Sequence, residues 1–458
     1  TGTAGYGVKL DAGGPYTIAN SGEISSTDAA NEYGIQLLGP TITSLENTST
    51  GVIKGVATGG DSAAGIRLVS SSNINVLNNA GLISGAADSA SGRFGRGIEL
   101  SKNSTIGTLT NSGTISASAG YLNAIGIFVN SASSFGTITN SGIISVSAQI
   151  NAYGIQIRDS LLANSQIINT RTGTISASAT GGIIGKVKGA YGISIQSIAS
   201  ITTLTNEGSI EAIATVTDDK GDEAVGVYLK GSTISTLNNS GSIIASAEAN
   251  DSAVGIYVYS ESAINTLTNT GLISAANPNW TAYGISVSGT STITTLTNSG
   301  TIIAQGSSYA YGVSLSTNSS ISSLVNSGTI MGNQSDPSLG SYGGGILLTK
   351  TSSINTLTNT GLISGIATDS GVGVYVYNSS SITTLTNSGT ISGLGRITDG
   401  AGIAISDDSS INTLTNTGVI SGSTSGGGDG TGANGVWLDY TSSITTLNNS
   451  GTISGVAA

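Results

Sequence analysis

Residues 382–393 read Ile-Thr-Thr-Leu-Thr-Asn-Ser-Gly-Thr-Ile-Ser-Gly, and close variants of this stretch recur along the whole chain. The central glycine, Gly389, is one of fifteen equivalent motif glycines spaced 28 to 35 residues apart. All fifteen copies have isoleucine two residues after this glycine, and all fifteen carry an asparagine equivalent to Asn387. A period of roughly 20 to 50 residues is typical of solenoids and propellers. The sequence therefore predicts a single repetitive domain, residues 1–458, and not several unrelated domains.

A second repeated glycine fixes the internal spacing of each copy. It is Gly284 in the stretch Tyr-Gly-Ile-Ser-Val at 283–287, and in eleven copies it lies 16 residues before the motif glycine. From the motif glycine to the next second glycine, the distance varies from 12 to 19 residues. Stacked strands must stay in register, so insertions have to leave the stack at one corner. The spacing indicates stacked coils with one corner of variable length.

Apolar residues alternate over short runs, which is typical of β-strands. Ile285 and Val287 would share one face of a strand, and Leu296 and Asn298 would share one face of the next. Each copy predicts three short strands separated by corners, where we expect glycine to take backbone angles that other residues resist. The predicted fold is all-β, a right-handed parallel β-helix (β-solenoid) of about fifteen coils with three short strands each. The right-handed sense follows by analogy with parallel crossovers.

The repeated asparagine is predicted to point inward. Identical amides in successive coils would hydrogen-bond to the neighbours above and below, as in the amide ladders of stacked parallel strands. The residues predicted to form this structural ladder include Asn269, Asn298, Asn326, Asn359 and Asn387.

The composition excludes several classes of function. The chain has no Cys and no His, which excludes disulfide scaffolds, Cys or His zinc sites, thiol nucleophiles and His-dependent triads. The net charge is −11, and the 14 Lys and Arg are thinly spread, so nucleic acid is not an expected partner. No apolar run is long enough to predict a transmembrane helix. We expect no enzyme activity, no catalytic residue and no cofactor.

The tandem motif at 382–393 resembles the β-helical passenger regions of bacterial autotransporter-type surface proteins and adhesins. The resemblance extends along the whole chain. It implies a protein that is secreted or displayed at the cell surface, outside the bacterial outer membrane. It also implies a structural or adhesive role.

Two groups of side chains are candidate ligand sites. Aromatic residues gather on the predicted outward side of the Gly-Ile strand, where flat neutral rings could stack on host or matrix glycans; they are Tyr228, Tyr257, Tyr259, Tyr375, Tyr377 and Trp437. The densest acidic cluster could hold Ca²⁺ through carboxylate oxygens; it comprises Asp218, Asp219, Asp222 and Glu223. A solvated insertion loop is the simpler interpretation of the acidic cluster, and we predict no metal site.

Three functional hypotheses remain open. In the first, the solenoid is a structural and adhesive surface element that stacks end to end through columns containing Val8, Leu10 and Ile453, or continues into further coils of a longer chain. In the second, it is a glycan-binding adhesin passenger. In the third, the Thr-x-Thr pairs that eight of fifteen coils present form an ice-binding face, although threonine is also simply a good strand former.

Overall fold

The computed structural model describes residues 5–59, 61–87, 92–160, 164–181, 188–215, 222–248, 252–335, 342–425 and 432–457. These residues form strands, turns and bends and contain no helix. The strands belong to three parallel sheets of fifteen strands, here called A, B and C, and each coil contributes one strand to each sheet in turn. This confirms the predicted β-solenoid of about fifteen coils with three strands each. The chain divides into two compact units, Thr1–Ser235 (unit 1) and Thr236–Ala458 (unit 2).

Unit 1 contains the first 22 strands. They are β1 (Gly5–Asp11), β2 (Tyr16–Asn20), β3 (Glu23–Asp28), β4 (Glu32–Leu38), β5 (Thr41–Asn47), β6 (Val52–Ala57), β7 (Ser62–Val69), β8 (Asn73–Asn79), β9 (Leu82–Ala87), β10 (Phe94–Leu100), β11 (Thr105–Asn111), β12 (Thr114–Ala119), β13 (Asn123–Val129), β14 (Ser134–Asn140), β15 (Ile143–Ala148), β16 (Asn151–Arg158), β17 (Gln166–Asn169), β18 (Thr174–Ala179), β19 (Lys188–Gln196), β20 (Ser200–Asn206), β21 (Ser209–Ala214) and β22 (Asp222–Lys230).

The boundary between the units falls within β23 (Thr233–Asn239). The strands of unit 2 that follow are β24 (Ser242–Ala247), β25 (Ala253–Tyr259), β26 (Ala263–Asn269), β27 (Leu272–Asn277), β28 (Thr281–Ser288), β29 (Thr292–Asn298), β30 (Thr301–Gly306), β31 (Tyr309–Ser316), β32 (Ser320–Asn326), β33 (Thr329–Gln334), β34 (Tyr342–Leu348), β35 (Ser353–Asn359), β36 (Leu362–Ala367), β37 (Ser370–Val376), β38 (Ser381–Asn387), β39 (Thr390–Gly395), β40 (Gly400–Ile405), β41 (Ser410–Asn416), β42 (Val419–Thr424), β43 (Ala433–Leu438), β44 (Ser443–Asn449) and β45 (Thr452–Ala457).

Equivalent residues of successive coils face one another, so the core is a set of continuous columns. In unit 2, Ile302 pairs with Ile273 on one side and with Ile330 on the other, and all three side chains are fully buried. In unit 1, Ile53 pairs with Ile83 in the same way. A single coil has too little apolar surface to fold alone, whereas stacked coils bury each other's aliphatic side chains. This explains the invariant isoleucine of the repeat.

The two repeated glycine series do not have the role that the sequence suggests. The prediction that they take unusual backbone angles at corners is wrong for Gly284 and Gly300, because neither has a positive φ. Gly284 lies inside β28, where an added Cβ would lie 2.5 Å from the carbonyl oxygen of Gly312 and 2.6 Å from Cγ2 of Ile302. Glycine is required here because the next coil and the core come too close for a side chain.

The turns between sheets A and B do contain the left-handed backbone, and mostly without glycine. Thr317 and Asn318 have φ of 58° and 57°, and similar pairs occur in other coils of both units. The N–H of Asn318 donates a hydrogen bond to the carbonyl oxygen of Lys350 in the next coil. Since the stacked turns satisfy each other's polar groups, the solenoid holds ordinary residues in a conformation that usually costs about 1–2 kcal/mol.

A row of serines adjoins these turns. In unit 2, the N–H of Ser291 donates to Oγ of Ser319, and the N–H of Ser319 donates to Oγ of Ser352. The serines of this row are buried and include Ser72, Ser104, Ser133, Ser262, Ser291, Ser319, Ser352, Ser380 and Ser409. The row supplies hydrogen bonds between coils at the corner where the strands of sheets A and B meet.

The part of the chain that the structure describes has no helix with the length and apolar character needed to span a bilayer.

Candidate functional site

The asparagine ladder is present in both units. In unit 2, Oδ1 of Asn298 accepts a hydrogen bond of 2.7 Å from Nδ2 of Asn269. Nδ2 of Asn298 donates to Oδ1 of Asn326 at 2.8 Å and also lies 3.2 Å from the carbonyl oxygen of Gly300. Asn326 continues to Asn359, which continues to Asn387, each over 2.8 Å. These amides are fully buried and fully hydrogen-bonded, which makes them structural residues and not a ligand site.

A ligand-sized groove lies on the outer side of sheet A in unit 2. It has a volume of about 570 Å³, within the usual range for small-molecule sites. Its walls are mainly tyrosines; the lining residues are Tyr283, Tyr309, Tyr311, Tyr342, Leu347, Thr349, Lys350, Tyr375 and Tyr377. We call this the tyrosine groove.

Strand register brings these tyrosines together from separate coils. Tyr283 pairs with Tyr311, and their rings are stacked with centroids 6.2 Å apart. Tyr309 pairs with Tyr342, and their rings lie 5.8 Å apart and within 4° of parallel. Because parallel strands align equivalent positions, a tyrosine repeated in adjacent coils becomes a stack of rings.

A glycine interrupts one of these columns and contributes to the shape of the groove. Gly344 of β34 pairs with Tyr311 of β31, where another tyrosine would continue the stack. A Cβ on Gly344 would lie 2.7 Å from Cδ1 of Tyr311, so the ring of Tyr311 rests against the glycine backbone. The column of tyrosine rings therefore ends at Gly344. Tyr375 of β37, the next strand of sheet A, pairs with Leu347 of β34 and also lines the groove.

Five of the groove tyrosines have a pKa above the ordinary value of a phenol. Burial raises the pKa of Tyr283, Tyr342 and Tyr375, and raises the pKa of Tyr311 furthest. The negative charge of Asp407 is the main reason for the raised pKa of Tyr377. At neutral pH these hydroxyls are uncharged and can donate or accept hydrogen bonds beside the apolar ring faces. Such a surface suits a neutral ligand with both C–H faces and hydroxyl groups.

The sequence identified part of this site. Of the six predicted aromatic residues, Tyr375 and Tyr377 line the groove, and Trp437 lines an adjoining cavity. Tyr257 and Tyr259 lie in the coil before Tyr283 and are not among the lining residues of either cavity.

The sixth aromatic, Tyr228, belongs to unit 1 and is buried. There, Tyr153 stacks on Tyr191 with ring centroids 4.9 Å apart, and Tyr191 packs against Tyr228 at 5.4 Å. These side chains fill the outer side of sheet A where unit 2 has its groove. Tyr228 therefore has little ring surface to offer a ligand, because its neighbours cover the ring.

The groove tyrosines that were not predicted from the sequence are Tyr283 and Tyr311, which directly precede the repeated glycine, and Tyr309 and Tyr342. Tyr283 and Ile285 are two residues apart, so strict alternation would place them on one face. The structure instead buries Ile285 in the core while Tyr283 lines the outer groove, and the register pairs skip the intervening Gly284. The recurring Tyr-Gly dipeptide is the sequence feature from which Tyr283 and Tyr311 could have been predicted.

The candidate calcium cluster lies largely outside the described residues. Asp218 and Asp219 fall in the gap at 216–221, and Asp222 is the first residue of β22. The Glu223 carboxylate accepts a hydrogen bond of 2.9 Å from the hydroxyl of Tyr191. Within the described part of the chain, no group of three or more acidic side chains is arranged to hold a metal ion.

The residues predicted to mediate self-association lie in the first and last coils. Val8 and Leu10 of β1 and Ile453 of β45 are half-buried, in contrast to the fully buried core of the middle coils. Leu447 of β44 is 50% exposed, whereas its partner Leu414 is fully buried.

No protein-family model, curated protein or solved structure matches this chain.

Proposed function

We propose that this chain is a structural and adhesive β-solenoid of a bacterial surface, which binds neutral glycans through the tyrosine groove of unit 2. The observation that carries the proposal is the groove itself, with six neutral tyrosines around about 570 Å³. Sugar rings present apolar C–H faces that pack on aromatic rings, and hydroxyls that pair with phenol groups. The fold supplies the rigidity, because five of the six tyrosines are carried by strands and Tyr377 directly follows the end of β37.

The surface location is proposed from the resemblance of the repeat to autotransporter-type passenger regions. Low charge, at 9% of residues, and the absence of Cys are compatible with a long extracellular solenoid that needs no disulfides. An antibody raised against the chain should label intact cells of the source bacterium. Labelling only after the cells are broken would contradict the surface location.

Glycan binding is tested with the purified chain on a glycan array, followed by calorimetric titration of the best neutral ligand. Tyr342→Ala removes a ring that is 37% exposed at the groove and should weaken binding at least tenfold. Tyr16→Ala is the matched control, because Tyr16 is 38% exposed but lies in unit 1, outside the groove. Absence of any binding by the parent, or equal binding by Tyr342→Ala, would contradict the proposal.

Stacking through the outer coils is a second proposal. The half-buried Ile453 and the exposed Leu447 leave apolar columns that another coil would cover, whether from a second copy or from further coils of a longer chain. Parallel strand addition would also use the backbone groups at the outer edges of β43, β44 and β45.

Sedimentation over a range of concentrations tests whether a second copy is the occupant. The parent should form larger species as concentration rises, and Ile453→Lys should prevent this by placing a charge in the joint. Ile143→Lys provides the control, because Ile143 is 46% exposed on sheet C of unit 1. A parent that sediments as a monomer throughout would contradict self-association.

A further inference from the structure

A second cavity of about 300 Å³ adjoins the tyrosine groove and shares Tyr342 and Tyr375 with it. The other lining residues are Asp369, Ser370, Val372, Thr398, Asp399, Ala404 and Trp437. The two cavities thus have a common wall, and one extended ligand could occupy both.

Aromatic side chains form the apolar walls of the second cavity. Tyr375, Ala404 and Trp437 occupy equivalent positions in three successive coils. The Tyr375 ring packs against Ala404, whose methyl group is buried, and the Tyr375 hydroxyl lies 3.3 Å from Oγ of Ser406. The rings of Tyr342, Tyr375 and Trp437 all line the cavity.

Two carboxylates complete the cavity, and both are held in position. Oδ1 of Asp399 accepts a hydrogen bond of 2.9 Å from the N–H of Gly432. The Asp369 carboxylate accepts a hydrogen bond from Oγ1 of Thr398. The two acids directly precede β37 and β40, which are neighbouring strands of sheet A. None of the described lining residues is a lysine or arginine.

Aromatic walls and fixed carboxylates together favour a cation. The ring faces of Tyr and Trp attract ammonium groups, and the attraction strengthens as the cation loses water. The negative charges of Asp369 and Asp399 act in the same direction and also contribute to the raised pKa of Tyr342, after burial. The described lining of the tyrosine groove has one cation, Lys350, and no carboxylate, so it favours an uncharged sugar ring.

We propose that the adjoining cavity binds the protonated amine of an amino sugar whose neighbouring ring lies in the tyrosine groove. The ligand class is an oligosaccharide with one free amino group beside uncharged rings, such as an N-acetylglucosamine oligomer with one deacetylated unit. This inference rests on the proposed glycan-binding function and adds the specificity for a free amine over an acetylated one. Acetylation removes the positive charge and enlarges the group that must fit beside Asp369 and Asp399.

The test compares an N-acetylglucosamine tetramer that has one deacetylated unit with its fully N-acetylated counterpart by calorimetric titration at pH 6, in low salt. The parent should bind the free-amine tetramer at least tenfold more tightly than the acetylated one. The double variant Asp369→Asn, Asp399→Asn should lose this preference while retaining its affinity for the acetylated tetramer. Asp28→Asn removes one charge at an exposed position of unit 1 and should leave the preference intact.

Circular dichroism and thermal unfolding establish that the double variant is folded, and Trp437→Ala gives an independent check on the aromatic wall of the cavity. Equal affinity of the parent for both tetramers, or a preference that survives in the double variant and in Trp437→Ala, would overturn the amine site while leaving glycan binding in place. Failure of the parent to bind either tetramer or any neutral glycan would instead overturn the proposed function.

Discussion

A Cβ atom added at Gly300 would lie 2.1 Å from the carbonyl oxygen of Gly271, the equivalent glycine of the preceding coil. A Cβ atom added at Gly328 would lie at the same distance from the carbonyl oxygen of Gly300. The motif glycines of these coils therefore form a column in which the backbones are in direct contact. Gly300→Ala should therefore force neighbouring coils apart and destabilise the protein by at least about 2 kcal/mol. Urea unfolding, with hydrogen exchange of β29 and β30, measures the effect.

Gly22→Ala provides the matched control for Gly300→Ala. Gly22 is the motif glycine of the first coil, and no described atom lies within 4 Å of the Cβ that alanine would add. The free energy of unfolding of Gly22→Ala should stay within about 0.5 kcal/mol of the parent value, as for an unhindered surface substitution. Equal effects at Gly22 and Gly300 would show that the close approach of the backbones is not what selects glycine.

Asn298→Asp tests the ladder. The substitution removes both amide hydrogens from a buried position and introduces a carboxylate beside Oδ1 of Asn326. Burial and the lost hydrogen bonds raise the pKa of the new carboxyl group in the folded state above its value in the unfolded state. The variant therefore keeps its stability below the unfolded-state pKa and loses it as the pH rises through the folded-state pKa. We expect a loss of about 3 kcal/mol or more at pH 7, with partial recovery near pH 3.

The control for this substitution is Ser299→Asp, which adds the same charge at the adjacent exposed residue. Its stability should differ little from that of the parent at either pH. A variant with aspartate at 298 that unfolds at the same urea concentration as the parent at both pH values would contradict the ladder's contribution to stability.

Alkaline pH should destabilise unit 1 through its tyrosine stack. Burial raises the pKa of Tyr153 to about 12, against 10 for an ordinary tyrosine. The neutral phenol is favoured in the folded state, so its stabilising contribution is complete below pH 10 and is lost as the pH rises from 10 towards 12. Each such group should contribute a slope of up to about 1.4 kcal/mol per pH unit in this window.

Tyr153→Phe should reduce that alkaline loss, because phenylalanine retains the stacking surface and has no proton to release. Unfolding by urea at pH 8, 10 and 11.5 compares the two proteins. Tyr6→Phe in the first coil is the control, since Tyr6 is 37% exposed. An alkaline loss in Tyr153→Phe as steep as in the parent would exclude Tyr153 as a cause.

Glu32 is a buried acid whose replacement should stabilise unit 1. Its Oε2 accepts a hydrogen bond from Oγ of Ser26, but Oε1 is buried and has no partner among the described residues. Glu32→Met keeps a similar volume without the charge and should raise stability by about 1–3 kcal/mol. Glu46→Met, at an exposed position of β5, is the control for the loss of one charge. A lower thermal midpoint for Glu32→Met than for the parent would contradict this prediction.

The repeat period and its invariant columns were enough to predict the solenoid. The equivalent of Ile302 keeps its distance from the motif glycine in all fifteen copies, and the equivalent of Asn298 does so in thirteen. Parallel stacking brings equivalent residues face to face, so one copy determines the environment of the next. The regular strand pairing therefore follows from the sequence with few assumptions.

The tyrosine groove could be predicted only in part, because it depends on departures from the repeat. Gly344 replaces the tyrosine that would continue the column of Tyr283 and Tyr311, and Ala404 separates Tyr375 from Trp437. The effect of such departures on the surface can be predicted only when the strand register between coils is known residue by residue. The strand also changes face at Gly284, so strict alternation would place Tyr283 in the core with Ile285 and not in the groove.

The hydrogen bonds of the asparagine ladder all run in one direction, with each Nδ2 donating to the asparagine of the following coil, as from Asn298 to Asn326. Every member thus offers the same acceptor to its predecessor and the same donor to its successor. Excision of residues 270–298 would bring Asn269 to the acceptor that Asn298 now uses, with no amide left unmatched. The number of repeats can therefore change in evolution by whole coils, whereas insertion or deletion of part of a coil would interrupt the hydrogen bonds between the asparagines.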